Sequence, residues 1–371
     1  MIEQPDDTRF MRRALALARR GTPHPNPYVG AVVVREGAIV GEGFHPRQGE
    51  LHAEAFAFAA AGDAARGATL YVTLEPCSHT QGGRIPCVAR CLAAGILRAV
   101  IAQEDPDPRV SGQGLAQLRE AGVAVTVGVG ETQARALNRA YIKHRTTGLP
   151  YIVHKAAMTL DGKIAAASGD SHWVTGETAR AYVHRLRNRM DAILVGAGTV
   201  RADDPRLTTR LARGNGNDPI RVLIDSRLTT PVSAAAIRAA QTSAATTLVA
   251  TVIGADPGRR AALEAAGVIV AEYPADNKGQ VEVRALARDL AERGLLELLL
   301  EGGGELAASF WEAGLVDRAL FFIAPKIVGG RAAKTPVEGV GKDTLRDAIK
   351  LGRLSVRRFG EDLAVTGEVR Q

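Results

Sequence analysis

Cysteine is scarce, at three in 371 residues, and so sparse and odd a set argues against a disulfide framework. Aromatic residues make up only 4%, and the basic residues are scattered through segments such as Arg180 to Arg189. Nucleic-acid binding needs stacking platforms beside basic grooves, so no nucleic-acid partner is expected, despite a net charge of +7 and a pI near 9.5. Anionic phosphorylated small molecules account equally well for that charge. Long apolar runs are missing too: Leu295 to Leu300 suffices for one strand, and no membrane partner is expected. The stretch Met1 to Asp7 is acidic and polar, unlike a signal peptide, and a cytoplasmic enzyme is expected. A dinucleotide fingerprint is absent as well, because Gly196-Ala197-Gly198-Thr199-Val200-Arg201 follows a strand but lacks the third glycine.

Hydrophobic residues make up 46% and charged residues 23% of the chain, a composition and length that suit two packed domains. The first, 1–147, alternates helix and strand. Helices are expected over Thr8 to Arg20, Ala53 to Ala61, Val88 to Ala94, Leu115 to Ala121 and Glu131 to Lys143. Strands are expected over Val29 to Val34, Ala38 to Gly43, Leu70 to Thr73, Ala99 to Ala102 and Val123 to Val127, a three-layer α/β/α pattern. Gly148 and Pro150 punctuate a linker over Arg145 to Pro150. The second domain, 148–371, carries strands at Tyr151 to Ala157, Ala192 to Val195, Arg221 to Asp225, Thr247 to Val252, Leu296 to Leu300 and Ala319 to Ile323. It closes on a hairpin about Gly360-Glu361.

Chemistry concentrates in His52-Ala53-Glu54, Pro76-Cys77 and Cys87. One imidazole and two thiolates leave the fourth tetrahedral position of a zinc ion for water, which marks a catalytic site. A metal-bound water ionises near neutral pH, and Glu54 can carry its proton to a leaving amine without touching the metal. Those are the parts of a hydrolytic deaminase. Singly, each residue reads as ordinary core; the ordered set favours zinc, and Cys91, with no partner motif, reads as structural. His52 and Glu54 fall in or near a first helical turn, and Pro76 before Cys77 suggests a second helix start there. The Pro-Cys-x-x-Cys of nucleoside and nucleic-acid deaminases is absent, since nine residues separate Cys77 from Cys87. In the second domain Gly302-Gly303-Gly304 follows a strand and precedes a helix near Glu305. It reads either as a phosphate-binding helix start or as a tight turn.

The whole chain from about Phe10 onward resembles the bifunctional deaminase-reductase family of riboflavin biosynthesis. The resemblance rests on Asn26-Pro27-Tyr28-Val29-Gly30, His52-Ala53-Glu54, Glu75-Pro76-Cys77-Ser78-His79 and Asp105 to Gly112. In the second half it rests on Thr159 to Lys163, Ser171 to Thr175, Gly198 to Leu207, Ile224-Asp225-Ser226, Glu301-Gly302-Gly303 and Ala324-Pro325-Lys326. It implies an α/β chain with a cytidine-deaminase-like domain and a dihydrofolate-reductase-like domain. It also implies two consecutive reactions: hydrolysis of the 2-amine of a diaminopyrimidinone ribosyl phosphate, then reduction of ribosyl to ribityl by NADPH. One zinc ion per chain and NADPH are the implied cofactors, a phosphorylated pyrimidine is the implied ligand, and a homo-oligomer is expected.

By the resemblance, His52, Cys77 and Cys87 hold zinc, Glu54 shuttles protons, and Asn26, His45, His79, Asp105 and Asp107 hold the pyrimidine and ribose phosphate. Lys155, Ser171, Arg187, Asp203, Leu207, Arg210 and Glu301 imply substrate contacts. Ala157, Trp173, Thr199, Ser226 and the run Gly303, Gly304, Glu305, Leu306, Ala307, Ala308 and Ser309 imply NADPH contacts. Lys155, Asp203 and Glu301 are the polar groups on offer for the reduction, with none singled out as acid or base. Three departures stand out. The Cys77 to Cys87 spacing is one residue longer than usual, with the insertion at Gln81-Gly82-Gly83. Asp107 stands where the family often has Asn, and Met158-Thr159 replaces a smaller pair.

Overall fold

The computed structural model describes residues 5–79, 85–214 and 216–370. It comprises two compact units, Met1–Gly148 and Leu149–Gln371. In the first unit α1 (Pro5–Ala18) carries Asp6 and Asp7 in its first turn, where the helix dipole favours anions. Asp7 is fully buried and accepts hydrogen bonds from the Arg98 guanidinium at 2.8 and 2.7 Å and the Tyr71 hydroxyl at 2.8 Å. Strands β1 (Gly30–Arg35) and β2 (Ala38–Phe44) form the expected hairpin. Both turn residues, Glu36 and Gly37, have positive φ (54° and 76°), as a tight two-residue hairpin requires. Next come α2 (Ala53–Ala61), β3 (Thr69–Val72), α3 (Cys87–Ala94), β4 (Arg98–Ile101), α4 (Gln113–Glu120) and β5 (Ala124–Val127).

The sheet order is β2-β1-β3-β4-β5, with β1 antiparallel to both neighbours and β3 to β5 parallel. Strand alternation divides the core. Ala31, Val33, Leu70 and Val72 pack with residues of α2, α3 and α4, while Val32, Val34 and Tyr71 pack with α1. At Gly43 a Cβ would lie 2.2 Å from the Ala53 carbonyl oxygen, so only glycine lets the first turn of α2 press onto β2.

The helix expected over Glu131 to Lys143 is two helices, α5 (Glu131–Leu137) and α6 (Arg139–Thr147). The break falls at Asn138, whose buried amide accepts from the Tyr28 N–H at 2.8 Å and donates to the Tyr28 carbonyl at 3.0 Å. Arg145 to Thr147, expected in the linker, continue α6, which stops at Gly148 in the left-handed region (φ 71°).

The second unit runs through β6 (Tyr151–Thr159), α7 (Glu177–Arg187), β7 (Ala192–Gly196), α8 (Ala197–Asp203), β8 (Ile220–Ile224), α9 (Ala235–Thr242) and β9 (Thr247–Val252). It continues with α10 (Pro257–Ala265), β10 (Ile269–Tyr273), α11 (Val283–Glu292), β11 (Glu297–Leu300), α12 (Gly304–Glu312), β12 (Val316–Ala324), β13 (Leu351–Phe359) and β14 (Asp362–Val369). The nine strands lie in the order β10-β9-β8-β7-β11-β6-β12-β14-β13. From β10 to β12 they are parallel, and β14 and β13 close the sheet antiparallel. Helices cover the apolar central strands, as parallel sheets require.

Candidate functional site

In the first unit three separate pieces of chain converge. His52 immediately precedes α2, Cys77 lies in the segment after β3, and Cys87 opens α3 behind Pro86. The second helix start therefore belongs to Pro86-Cys87, and Pro76-Cys77 is not helical. Cys77 still reaches that helix end, because the Cys87 N–H donates to its Sγ at 3.3 Å. His52 Nδ1 lies 3.3 Å from Cys87 Sγ and 3.6 Å from Cys77 Sγ. Ligands bonded to a tetrahedral zinc ion at about 2.0–2.3 Å sit roughly 3.5 Å from one another, so this donor set fits the metal. Hydrogen bonding from Cys87, with help from His52, holds the Cys77 thiol well below the usual thiol range, whereas Cys77 and burial push Cys87 up. Glu54, on the first turn of α2, is buried, which raises its pKa.

A cavity of about 360 Å³ opens on this cluster. Asn26, His52, Cys77, His79 and Cys87 line it, as do Gln48, Gly49, Leu51, Ile85 and Arg90, none of which sequence reasoning singled out. His45 supports the wall: its Nδ1 lies 2.9 Å from the Leu51 carbonyl and its Nε2 3.1 Å from the Asn26 amide. If Nδ1 donates and Nε2 accepts, the Asn26 amide nitrogen is fixed toward His45.

Asp105 and Asp107 do not line the cavity. Asp105 accepts from the Asp107 N–H at 2.9 Å, and Asp107 takes two bonds from the Arg109 guanidinium at 2.9 and 2.6 Å. A further carboxylate, Glu75, went unread as a functional group. Buried, it accepts from the N–H groups of Asp105, Gly112, Gly114 and Leu115 at 2.8 to 3.4 Å and so fixes the 105–112 loop against the start of α4. The insertion at Gln81-Gly82-Gly83 lies outside the described residues.

In the second unit Leu300 pairs with His154, which makes Glu301 and Lys155 the next rung at the carboxyl end of β11. Arg187, at the end of α7, grips Glu301 with two bonds at 3.1 and 2.6 Å, and Lys155 Nζ stands 3.5 Å away. Burial opposes ionisation of Glu301; Arg187 and then Lys155 outweigh it and hold the carboxyl at about 2. Asp203 ends α8 and accepts from the Ser171 hydroxyl at 3.0 Å. Leu207 is buried with φ 55°, and the Arg210 N–H donates to His184 at 3.3 Å.

Ala157 shares the Lys155 side of β6, two residues on. Thr199, in α8, accepts from the Gly303 N–H at 3.1 Å, joining the starts of α8 and α12. None of Gly302, Gly303 and Gly304 has a positive φ. Glycine is demanded instead by crowding at 304, where a Cβ would lie 2.4 Å from the Thr335 carbonyl oxygen. Glu305 to Ser309 form the body of α12. Ser226 donates to Gln280 and accepts from the Val281 N–H, each at 3.0 Å. Trp173 is 60% exposed, with Arg180 stacked 4.7 Å from its ring.

Two sequence families match the chain: the RibD C-terminal domain over residues 150–365 and the cytidine and deoxycytidylate deaminase zinc-binding region over residues 4–103. The riboflavin biosynthesis protein RibD of Bacillus amyloliquefaciens is 42% identical over 96% of this chain and 95% of its own. That of Escherichia coli is 39% identical over 97% and 98%. Among solved structures, Acinetobacter baumannii RibD aligns with a TM-score of 0.87 at 34% identity, covering 100% of both chains. A diaminohydroxyphosphoribosylaminopyrimidine deaminase/5-amino-6-(5-phosphoribosylamino)uracil reductase from Thermotoga maritima aligns with a TM-score of 0.84 at 35% identity, covering 98% of this chain and 99% of its own.

Proposed function

The chain belongs to the bifunctional deaminase-reductases of riboflavin biosynthesis, and from that premise we propose how its residues divide the two reactions. The first unit is the zinc-dependent deaminase of the cytidine-deaminase-like fold, and the second is the reductase of the dihydrofolate-reductase-like fold. The enzyme removes the 2-amine of 2,5-diamino-6-ribosylamino-4(3H)-pyrimidinone 5′-phosphate, then reduces the ribosyl group with NADPH to 5-amino-6-(5-phosphoribitylamino)uracil.

The observation that carries the deaminase assignment is the His52, Cys77 and Cys87 cluster at the cavity, with buried Glu54 beside it. These three residues would hold a zinc ion, which when bound would activate water as a nucleophile. Glu54, buried beside the cluster, would hold a proton at its carboxylate and pass it to the departing amine. Asn26, oriented by His45, and His79 position the pyrimidine. Asp105 and Asp107 act on the ribose side through the loop that Glu75 fixes.

In the second unit NADPH supplies the hydride when bound. Ala157, Trp173, Thr199, Ser226 and Gly303 to Ser309 are its contacts along the carboxyl ends of the parallel strands, where open α/β sheets bind ligands. Arg187, Arg210, Ser171 and Leu207 hold the substrate. Lys155, Glu301 and Asp203 orient the ribose and manage its protons. We also place the enzyme in the cytoplasm, a compartment suited to the free cysteines Cys77, Cys87 and Cys91. A homo-oligomer belongs to the same reading: the outer strand β13 exposes Leu354 and Val356, which a second copy would cover. Sedimentation measurements test that association.

The deciding assay incubates the protein with the diaminopyrimidinone ribosyl phosphate. Ammonia and the ribosylaminouracil phosphate are expected without NADPH, and the ribityl product with it. Absence of ammonia release would overturn the deaminase assignment.

A further inference from the structure

Resting on the reductase reading above, we propose that Arg180 is a positioning residue for the reduction, holding the Trp173 indole ready for NADPH. The segment that carries Trp173 is tied down from four elements. The Ser171 hydroxyl donates to Asp203 of α8 at 3.0 Å, and Lys326 Nζ, just past β12, donates to the Trp173 carbonyl at 2.7 Å. The Gly176 N–H donates to Asp362 of β14 at 2.8 Å, and Arg180 Nη1 of α7 donates to the carbonyl of buried Thr175 at 2.6 Å. These contacts fix the backbone near the carboxyl end of β12, among the strand ends where open α/β sheets bind ligands. The indole projects from this frame 60% exposed, and the Arg180 guanidinium lies over its ring, 4.7 Å from the centroid.

An exposed indole exchanges among rotamers. A ligand that needs one of them binds more weakly in proportion to the time that rotamer is absent. A cation seated over the ring favours a single arrangement, because the ring face is the negative part of its quadrupole. Helix stability does not account for Arg180. It stands at the amino end of α7, where the helix dipole favours acidic side chains such as Glu177 and disfavours a cation. Nor does its bond to Thr175 cap the helix, since the groups that need partners at that end are N–H donors and Thr175 offers a carbonyl. That bond instead anchors the half-buried guanidinium where it can lie over the indole.

The test measures NADPH binding by calorimetry on the full chain and on its Arg180→Gln, Arg180→Lys and Trp173→Ala forms, together with the Arg180→Gln, Trp173→Ala double variant. Arg180→Gln should raise Kd for NADPH on the order of threefold to thirtyfold, the range that a cation over an aromatic ring can supply. KM for NADPH should rise with it, while ammonia release, which belongs to the first unit, stays unchanged. Glutamine keeps a donor for the Thr175 carbonyl, so thermal unfolding should remain close to that of the unaltered chain. Arg180→Lys, which keeps the charge, should recover part of the affinity. In the Trp173→Ala background Arg180→Gln should add little, because a residue that acts through the indole then has nothing to position. A further readout needs no cofactor: with Trp311→Phe leaving Trp173 as the sole tryptophan, acrylamide quenching of its fluorescence should increase in the Arg180→Gln form. An unchanged Kd overturns the proposal. So does an equal loss in both backgrounds, or quenching that Arg180→Gln leaves as it was. Failure of the unaltered chain to bind NADPH overturns the reductase reading, and this proposal falls with it.

Discussion

Two carboxylates, Glu54 and Glu301, occupy opposite electrostatic settings. Burial pushes Glu54 up, whereas Arg187 and Lys155 hold Glu301 down to about 2 despite burial. Their amide variants should therefore fail in different ways. Glu54→Gln should abolish ammonia release while zinc content and reduction of the deaminated intermediate persist, because an amide keeps the shape but cannot accept the proton. Normal ammonia release would remove Glu54 from the mechanism. Glu301→Gln leaves the Arg187 guanidinium, only 13% exposed, without its anion and should cost about 3–5 kcal/mol of stability in the second unit. Lys155→Ala differs again, since Glu301 keeps its 2.6 Å partner. Reduction should fall strongly while denaturant midpoints shift little. Unchanged turnover on purified deaminated intermediate excludes Lys155 from the reaction. Asp203 offers a similar contrast: its carboxylate meets Ser171, while the neighbouring Asp204 caps the Ala235 N–H at 2.6 Å.

At the scale of the element, β6 holds two unlike groups side by side. Burial, then the nearby Lys155, lowers His154 to about 4, and its Nδ1 lies 3.0 Å from Trp311 Nε1. A histidine whose pKa is lower folded than unfolded stabilises the neutral-pH fold. That contribution is complete above its ordinary value of about 6.5 and is lost as pH falls toward the folded value. Glu301 has the same sign, with its window running from the ordinary carboxylate range down to about 2. Acid unfolding of the second unit should therefore begin with His154 and with His184, which burial and then Arg187 also lower to about 4, and continue with Glu301. His154→Gln should flatten the dependence between pH 6.5 and 4, as read by urea unfolding at each pH. A slope unaltered in that variant would exclude His154 as its source.

Strand and helix identity was legible wherever periodicity was strong, as in the hairpin at Glu36-Gly37 and the parallel strands β6 to β9. Strand β10 was missed because it is short and at the sheet edge, with only Val270 and Tyr273 buried. The break at Asn138 was illegible because its cause lies 110 residues away, at Tyr28. In the site, the His52, Cys77 and Cys87 cluster was readable from residue type and order. The cavity wall was not, because Gln48, Ile85 and Arg90 meet only when α3 is docked.

Taken whole, the molecule carries its spectroscopic and metal probes in different units. Trp173 and Trp311 are its two tryptophans and both lie in the second unit, whereas the His52, Cys77 and Cys87 cluster lies in the first. Chelation should therefore abolish ammonia release and lower the unfolding temperature of the first unit. Tryptophan-detected unfolding should stay in place. A shift of both transitions together would contradict independent units. The size of the effect follows from mass action. His52 and Cys87 are 35 residues apart, and only the folded unit holds them together, so an ion bound there adds stability that grows with its free concentration, about 2.7 kcal/mol at a hundredfold excess over its dissociation constant. The residues that serve the chemistry would thus also tie the endurance of the first unit to the supply of its metal.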